Sequence, residues 1–315
     1  MPYQPMIGTL MNLSDPIYHN ADKAREHLEA LLWADGPVCP HCGKRDHASK
    51  IKGGRDGLYF CNEGDCRKQF TVTVGTVFER SKIPLNKWVL ATHLMSASKT
   101  GISAHQLHRM LEITYKSAWF MCHRIREAMK ADGSAPMGGE GEEIQVDETY
   151  QGGTSKRAKT YKKGHRHKQQ LVALVDPANG EVRTFHVKRA TVKSLREILV
   201  TNIDRKSTLV TDESRLYTQT GSEYADHQTV KHRAGNYVNK KGFHTNNVEN
   251  FFGVFKRSLR AHIKISEQHL HRYAAENAFR YSNRKISDFE RAEEALKGIE
   301  GKRLTYRPIG ESHNA

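Results

Sequence analysis

The sequence predicts an α/β protein whose main domain is a mixed sheet flanked by helices. A cysteine-rich module and a helical segment precede that domain. Two observations carry the prediction. Beyond residue 143 the apolar pattern runs strand, strand, strand, helix, strand, then helices. Before it, four of the five cysteines fall in two close pairs, and residues 84–130 follow with helical periodicity.

The elements justify themselves in order. Residues 21–33 (ADKAREHLEALLW) place Ala24, Leu28, Leu31 and Leu32 on one helical face, and Gly36-Pro37 stops the helix. After the cysteines, residues 70–78 (FTVTVGTVF) alternate and predict strand and turn. Residues 101–130 divide into two helices. Ser103 caps the first, with Leu107, Met110 and Leu111 inward. Thr114 caps the second, with Ala118, Met121, Ile125 and Met129 inward, and Cys122 is a core thiol. Residues 131–142 (ADGSAPMGGEGE) read as a linker.

Past the linker, residues 143–150 (EIQVDETY) alternate as a strand, and 169–187 form a hairpin turning at 176–180. An amphipathic helix covers 190–203, and short strands cover 207–213 and 228–232. A long helix over 246–262 buries Phe251, Phe252, Phe255 and Leu259, and another covers 266–284. The predicted organisation is 1–35 helical, 36–80 cysteine module, 81–130 helical, 131–142 linker, 143–290 main domain and 291–315 tail.

Charge narrows the partner. Fifty Lys and Arg face 35 Asp and Glu, an excess that favours a polyanion. No stretch reaches the ~18 apolar residues of a membrane span, and the N-terminus lacks a secretory pattern. The expected location is cytoplasmic.

Cys39 and Cys42 form a CxxC, and eighteen residues further on Cys61 and Cys66 form a CxxxxC. Two such pairs on facing hairpins close a tetrahedral shell around a structural Zn²⁺ and leave no open position for catalysis. Gly43 permits the tight turn after the first pair.

The candidate catalytic groups are carboxylates. Asp147 lies in the alternating strand, Asp212 ends an apolar strand, and Glu249 lies early in the long helix. Hard oxygens from two strand ends and a helix suit Mg²⁺ or Mn²⁺. Lys256 follows Glu249 by seven residues, two turns less about 20°, so both share a face. Asn246 lies near that face and competes as a helix cap. Glu148 and Glu213 alternate away from the proposed ligands. Acid-free basic segments flank the carboxylates, with Lys156, Arg157, Lys159, Lys162, Lys163, Arg166 and Lys168 on one side and Lys231, Arg233, Lys240 and Lys241 on the other. Tyr150, Tyr161, Tyr237 and Phe243 are interleaved as stacking groups. The 101–130 helix pair offers Tyr115, Lys116, His123, Arg124 and Arg126 to a major groove.

These motifs resemble one family. DGPVCPHCG (35–43), QFTVTVGTVFERSKIPLNKW (69–88), VDETYQGG (146–153), HTNNVENFFGVFKR (244–257) and HLHRYAAENAFRYSNR (269–284) are similar to the zinc-ribbon DDE transposases of bacterial insertion sequences. The resemblance spans roughly residues 15–285. It implies a ribonuclease-H-like catalytic domain with Asp147, Asp212 and Glu249 as the metal-binding triad, and Lys256 as the basic residue after the glutamate. His244, Asn246, Lys116 and Arg124 complete the expected DNA contacts. The implied partners are double-stranded DNA, as terminal inverted repeats and target, and at least one further copy of the chain. The implied location is the bacterial nucleoid. The competing readings are a zinc-dependent DNA-binding regulator without catalysis, and a nuclease or resolvase sharing the same chemistry.

Overall fold

The computed structural model describes residues 12–131, 133, 135–152, 169–231, 238–262 and 265–305. The chain divides into two compact units, 1–129 with 286–315, and 130–285.

The first unit opens on a 3-10 turn, Pro16–Tyr18, and helix α1, Ala21–Leu32, which Asn20 caps. Three short antiparallel strands follow: β1 Ala48–Lys50, β2 Tyr59–Cys61 and β3 Gln69–Phe70. The strand expected over 70–78 is confined to the last of these. Beyond it the chain turns, because Gly75 sits at φ +74° and the Thr76 hydroxyl bonds the Thr73 carbonyl at 2.8 Å. Side-chain hydroxyls thus supply local partners that a strand would have drawn from a neighbour.

Helices α2, Leu85–Ala97, α3, Ala104–Leu111, and α4, Tyr115–Ala128, complete the expected helical segment. Ser103 and Thr114 cap α3 and α4 as the sequence predicts. Leu107, Leu111, Ala118, Met121, Cys122, Ile125 and Met129 are buried, whereas Met110 is 50% exposed. A last helix, α9, Asp288–Lys297, packs against α2. It occupies the start of the range read as a tail. Its buried residues are small, Ala292 and Ala295 with Leu296, so its apolar stripe is faint in sequence. Its capping box, Ser287 with Glu290, is the signal that marks it.

The second unit is built on one five-stranded sheet. Its strands are β4 Glu143–Gln151, β5 Gln169–Val175, β6 Val182–Val187, β7 Thr208–Asp212 and β8 Asp226–Val230. The spatial order is β6-β5-β4-β7-β8. β4, β5 and β6 pair antiparallel, while β7 runs parallel to both β4 and β8. This mixed sheet with flanking helices is ribonuclease-H-like.

Alternation along the strands feeds two cores. Ile144, Val146, Val172, Leu174 and Leu209 pack with Leu195 and Leu199 of α5, Val192–Asn202. Leu171, Ala173 and Val175 pack on the other face with α7, Asn246–Ser258, and α8, Leu270–Ser282. A short helix, α6, Thr218–Gly221, lies between β7 and β8 in sequence. No helix among the described residues is long and apolar enough to cross a membrane.

Phe251 is fully buried, with its ring centroid 5.5 Å from Tyr281 and 6.3 Å from Phe255. Phe251→Ala is expected to cost about 3–5 kcal/mol. Urea unfolding of the full chain measures it, and a loss below 1 kcal/mol would show that α7 is not held by this core.

Candidate metal centres and active site

The cysteine site is built by two tight turns. Gly43 adopts φ +72°, and its N–H bonds the Cys39 carbonyl at 2.8 Å, curling residues 39–44 around the first pair. The second turn follows β2, where the Cys66 N–H reaches the Glu63 carbonyl at 3.1 Å. Cys39 and Cys61 are buried against Phe70, with Trp33, Tyr59, Ala48 and Val74 packed around them. The four Sγ atoms lie within 4.8 Å of one another, and the pairs Cys39–Cys66 and Cys42–Cys61 are both 3.7 Å apart. None of the four is in a disulfide. A tetrahedron with Zn–S bonds of about 2.3 Å has S···S edges of about 3.8 Å, so the donor set fits a zinc ion.

The carboxylates are placed by the sheet. β4 and β7 pair parallel with Gln145 opposite Val210. Asp147 and Asp212 each lie two residues beyond that last pair and on the same face of the sheet, and the Asp212 charge reaches the Asp147 carboxyl. That face is the one α7 covers. Asp226, by contrast, lies opposite Thr208, at the other end of the sheet from Asp212. Asp204 sits in the turn after α5, where its carboxylate accepts the Lys206 N–H at 2.8 Å.

Glu249 stands one turn into α7. Its carboxylate accepts a hydrogen bond from the Thr245 hydroxyl at 2.8 Å. Asp147 and Asp212 are held in the same manner, by the backbone N–H groups of Glu148 at 2.8 Å and Ser214 at 2.9 Å. One oxygen of each carboxylate is thereby fixed.

Asp147 feels the charges around it. Burial pushes the Asp147 carboxyl up to about 7, and the negative charges of Glu148, Asp212 and Glu249 add to the rise against the Glu148 N–H. A divalent cation beside such a group would offset both the burial and the neighbouring negative charges. The oxygens do not close into a ready cage. Among the described residues only the cysteines bring three or more ligand atoms within sharing distance of one ion. Mg²⁺ suits the looser arrangement, since it keeps several waters and binds through few carboxylates.

Glu148 does alternate away from Asp147, yet it is no surface group. It accepts a hydrogen bond from the Tyr217 hydroxyl, which is fully buried. Burial raises its carboxyl, with the Asp212 charge contributing.

The remaining expected residues divide sharply. On α7, Asn246, Glu249, Asn250, Gly253, Lys256 and Arg257 form one exposed stripe. Gly253, between Glu249 and Lys256, leaves open space where a side chain would stand. His244 is half-buried beside the Gln145 amide, 3.3 Å from its Nε2. Thr245, not Asn246, is the cap residue of α7.

In the first unit Lys116 and Tyr115 are exposed at the start of α4, and Tyr115 stacks on His105 at 4.2 Å. Arg124 is a correction. It is 6% exposed, donates to the Glu79 carbonyl at 2.6 Å and lies over the Trp88 and Phe120 rings. It holds the helices together and is not presented to DNA. His123 and Arg126 are buried as well. The basic run Lys156 to Lys168, with Tyr161, Arg233 and Tyr237, lies outside the described residues. Lys231, Lys240 and Lys241 are exposed.

Sequence reasoning passed over Gln145 and Thr245. Gln145 was legible as a polar residue on the buried face of an apolar strand, two places before Asp147. Thr245 is a capping residue type immediately before the helix.

Purified chain is expected to carry one zinc, by metal analysis, and Cys61→Ser is expected to lose both the metal and the fold of residues 36–70. Retention of the far-ultraviolet spectrum and thermal transition after complete zinc removal would contradict a structural ion.

Comparison with known proteins agrees with this architecture. Residues 139–282 match the ISXO2-like transposase domain, and residues 19–69 match the transposase zinc-ribbon domain. Together the matches take in more than half of the 315 residues. An uncharacterized protein in transposable element ISH50 of Halobacterium salinarum is 28% identical over 268 residues, covering 80% of this chain and 87% of that protein. Among solved structures, the HTLV-2 integrase catalytic core domain in complex with magnesium aligns at 17% identity and TM-score 0.27, over 45% of this chain and 86% of that one. A simian T-cell lymphotropic virus intasome chain aligns at 16% identity and TM-score 0.29, over 55% of this chain and 67% of that one. The chain therefore carries a transposase zinc-ribbon domain at residues 19–69 and an ISXO2-like transposase domain at residues 139–282.

Proposed function

We propose that this transposase cleaves DNA at the ends of its element and joins the exposed 3′-hydroxyls to target DNA, with Asp147, Asp212 and Glu249 holding two divalent ions. The observation that supports the reading is the sheet register: Asp147 and Asp212 each follow by two residues the paired Gln145 and Val210, on the face covered by the helix bearing Glu249. When bound, Mg²⁺ or Mn²⁺ would activate the attacking oxygen and stabilise the leaving one.

The chain's own residues supply the rest. Thr245 and the N–H groups of Glu148 and Ser214 orient the three carboxylates. Lys256, Asn246 and His244 lie on or beside the exposed side of α7 and suit the phosphates flanking the scissile bond. Lys116, at the exposed N-terminus of α4, suits a more distant phosphate. Cys39, Cys42, Cys61 and Cys66 hold a structural zinc in the ribbon. Pairing two element ends calls for at least two copies of the chain on DNA, within the bacterial nucleoid.

Asp147→Asn tests the assignment. Nicking of duplex DNA containing the element ends should be abolished in Mg²⁺ or Mn²⁺. DNA binding without added divalent metal should stay within about twofold, because phosphate neutralisation by Lys and Arg dominates affinity. Undiminished nicking, or parallel loss of binding, would remove Asp147 from the catalytic set.

A further inference from the structure

We infer that Gln145 is a positioning residue for the metal site: its amide ties the strand bearing Asp147 to the helix bearing Glu249. The inference rests on reading those two acids as metal ligands.

Gln145 is completely buried in the central strand, two residues before Asp147 and on the same face. Its Oε1 accepts the backbone N–H groups of Asn247 at 3.1 Å and Val248 at 3.4 Å. These are the second and third residues of α7, the groups a helix-capping side chain normally serves. Its Nε2 contacts the Glu143 carboxylate at 3.2 Å and His244 Nδ1 at 3.3 Å.

The arrangement is unusual in one respect. Thr245 occupies the capping position of α7 and is a residue type suited to the task, yet it makes no capping bond. Its hydroxyl is committed to Glu249. The cap comes instead from a side chain one hundred residues earlier in the chain. Stability alone needs no such device, since a local Thr cap and an apolar residue at 145 would satisfy the same groups. What the exchange adds is registration. Sliding α7 along its axis, or tilting its first turn, breaks the Oε1 bonds, so the Glu249 backbone is referenced to the Asp147 backbone.

The amide also orients a neighbour. With Oε1 given to the helix, Nε2 is the atom facing His244, so His244 Nδ1 accepts and the ring proton sits on Nε2. That leaves His244 a donor on its far side, the state suited to a phosphate oxygen.

The test is direct Mn²⁺ binding to the zinc-loaded full chain, read from the electron paramagnetic resonance of unbound Mn²⁺. Gln145→Met is expected to weaken Mn²⁺ binding about 10- to 100-fold, while the exchange of Gln145→Glu together with Glu143→Gln, which keeps an oxygen on the helix N–H groups and a single carboxylate in the pair, stays within about threefold of wild type. A folded Gln145→Met protein with wild-type affinity overturns the inference, as does an exchanged Gln145→Glu, Glu143→Gln protein weakened as much as Gln145→Met. If Gln145→Met does not fold, Gln145→Asn decides: its amide falls one methylene short, and unchanged affinity overturns the inference. Asp147→Asn runs alongside. Wild-type Mn²⁺ binding there refutes the triad itself, whereas its loss together with full binding in Gln145→Met refutes only the role of Gln145.

Discussion

The parallel pairing of β4 with β7 is the contact on which the rest of the catalytic unit depends. Side chains on paired parallel strands share faces, so the register that opposes Gln145 and Val210 also carries Asp147 to the side of Asp212. A slip of one residue would send one of the two acids into the apolar core built on α5. The hydrophobic alternation on both strands prevents that slip. Ile144, Val146 and Leu209 are fully buried on the α5 side, and exposing them would cost several kcal/mol. The proposed site is thus held in place by residues that take no part in it.

The second constraint is the placement of α7. Its apolar face, Val248, Phe251, Phe252 and Phe255, fixes it against the sheet, and the same periodicity turns Glu249, Gly253 and Lys256 outward. Burial decides the rotation of the helix, and the amide of Gln145 decides its position along the axis. Burial raises the Asp147 carboxyl to about 7, and the charges of Glu148, Asp212 and Glu249 add to the rise. A cation bound there, as proposed, would offset both effects.

Much of this was legible in the chain. The strand carrying Asp147, the hairpin at 176–180 and the long helix all announce themselves by period, and the two cysteine pairs by spacing. Local signals failed where a distant partner decided the outcome. Arg124 looked like a DNA contact on helix position, but its partners Glu79, Trp88 and Phe120 include two far along the chain. The alternation at 70–78 reads as strand and turn, but the strand stops at Phe70 because threonine hydroxyls and Gly75 turn the chain at once. Met110 fell on the predicted inner face of α3 and is half-exposed, because α3 is short and packs chiefly through Leu107 and Leu111. The helix at Asp288–Lys297 escaped because alanines line its buried side. Strand position alone favoured Asp212 over Asp226, and the sheet register places the two at opposite ends of the sheet.

The central claim is that Asp147, Asp212 and Glu249 form one divalent-metal site. The most direct measurement is crystallographic, locating Mn²⁺ by its anomalous scattering in crystals of the full chain with end-containing DNA. The account predicts Mn²⁺ within about 2.2 Å of carboxylate oxygens from Asp147 and at least one of the other two acids. Manganese bound elsewhere, with the Asp147 carboxylate uncoordinated beside ordered DNA, would contradict it.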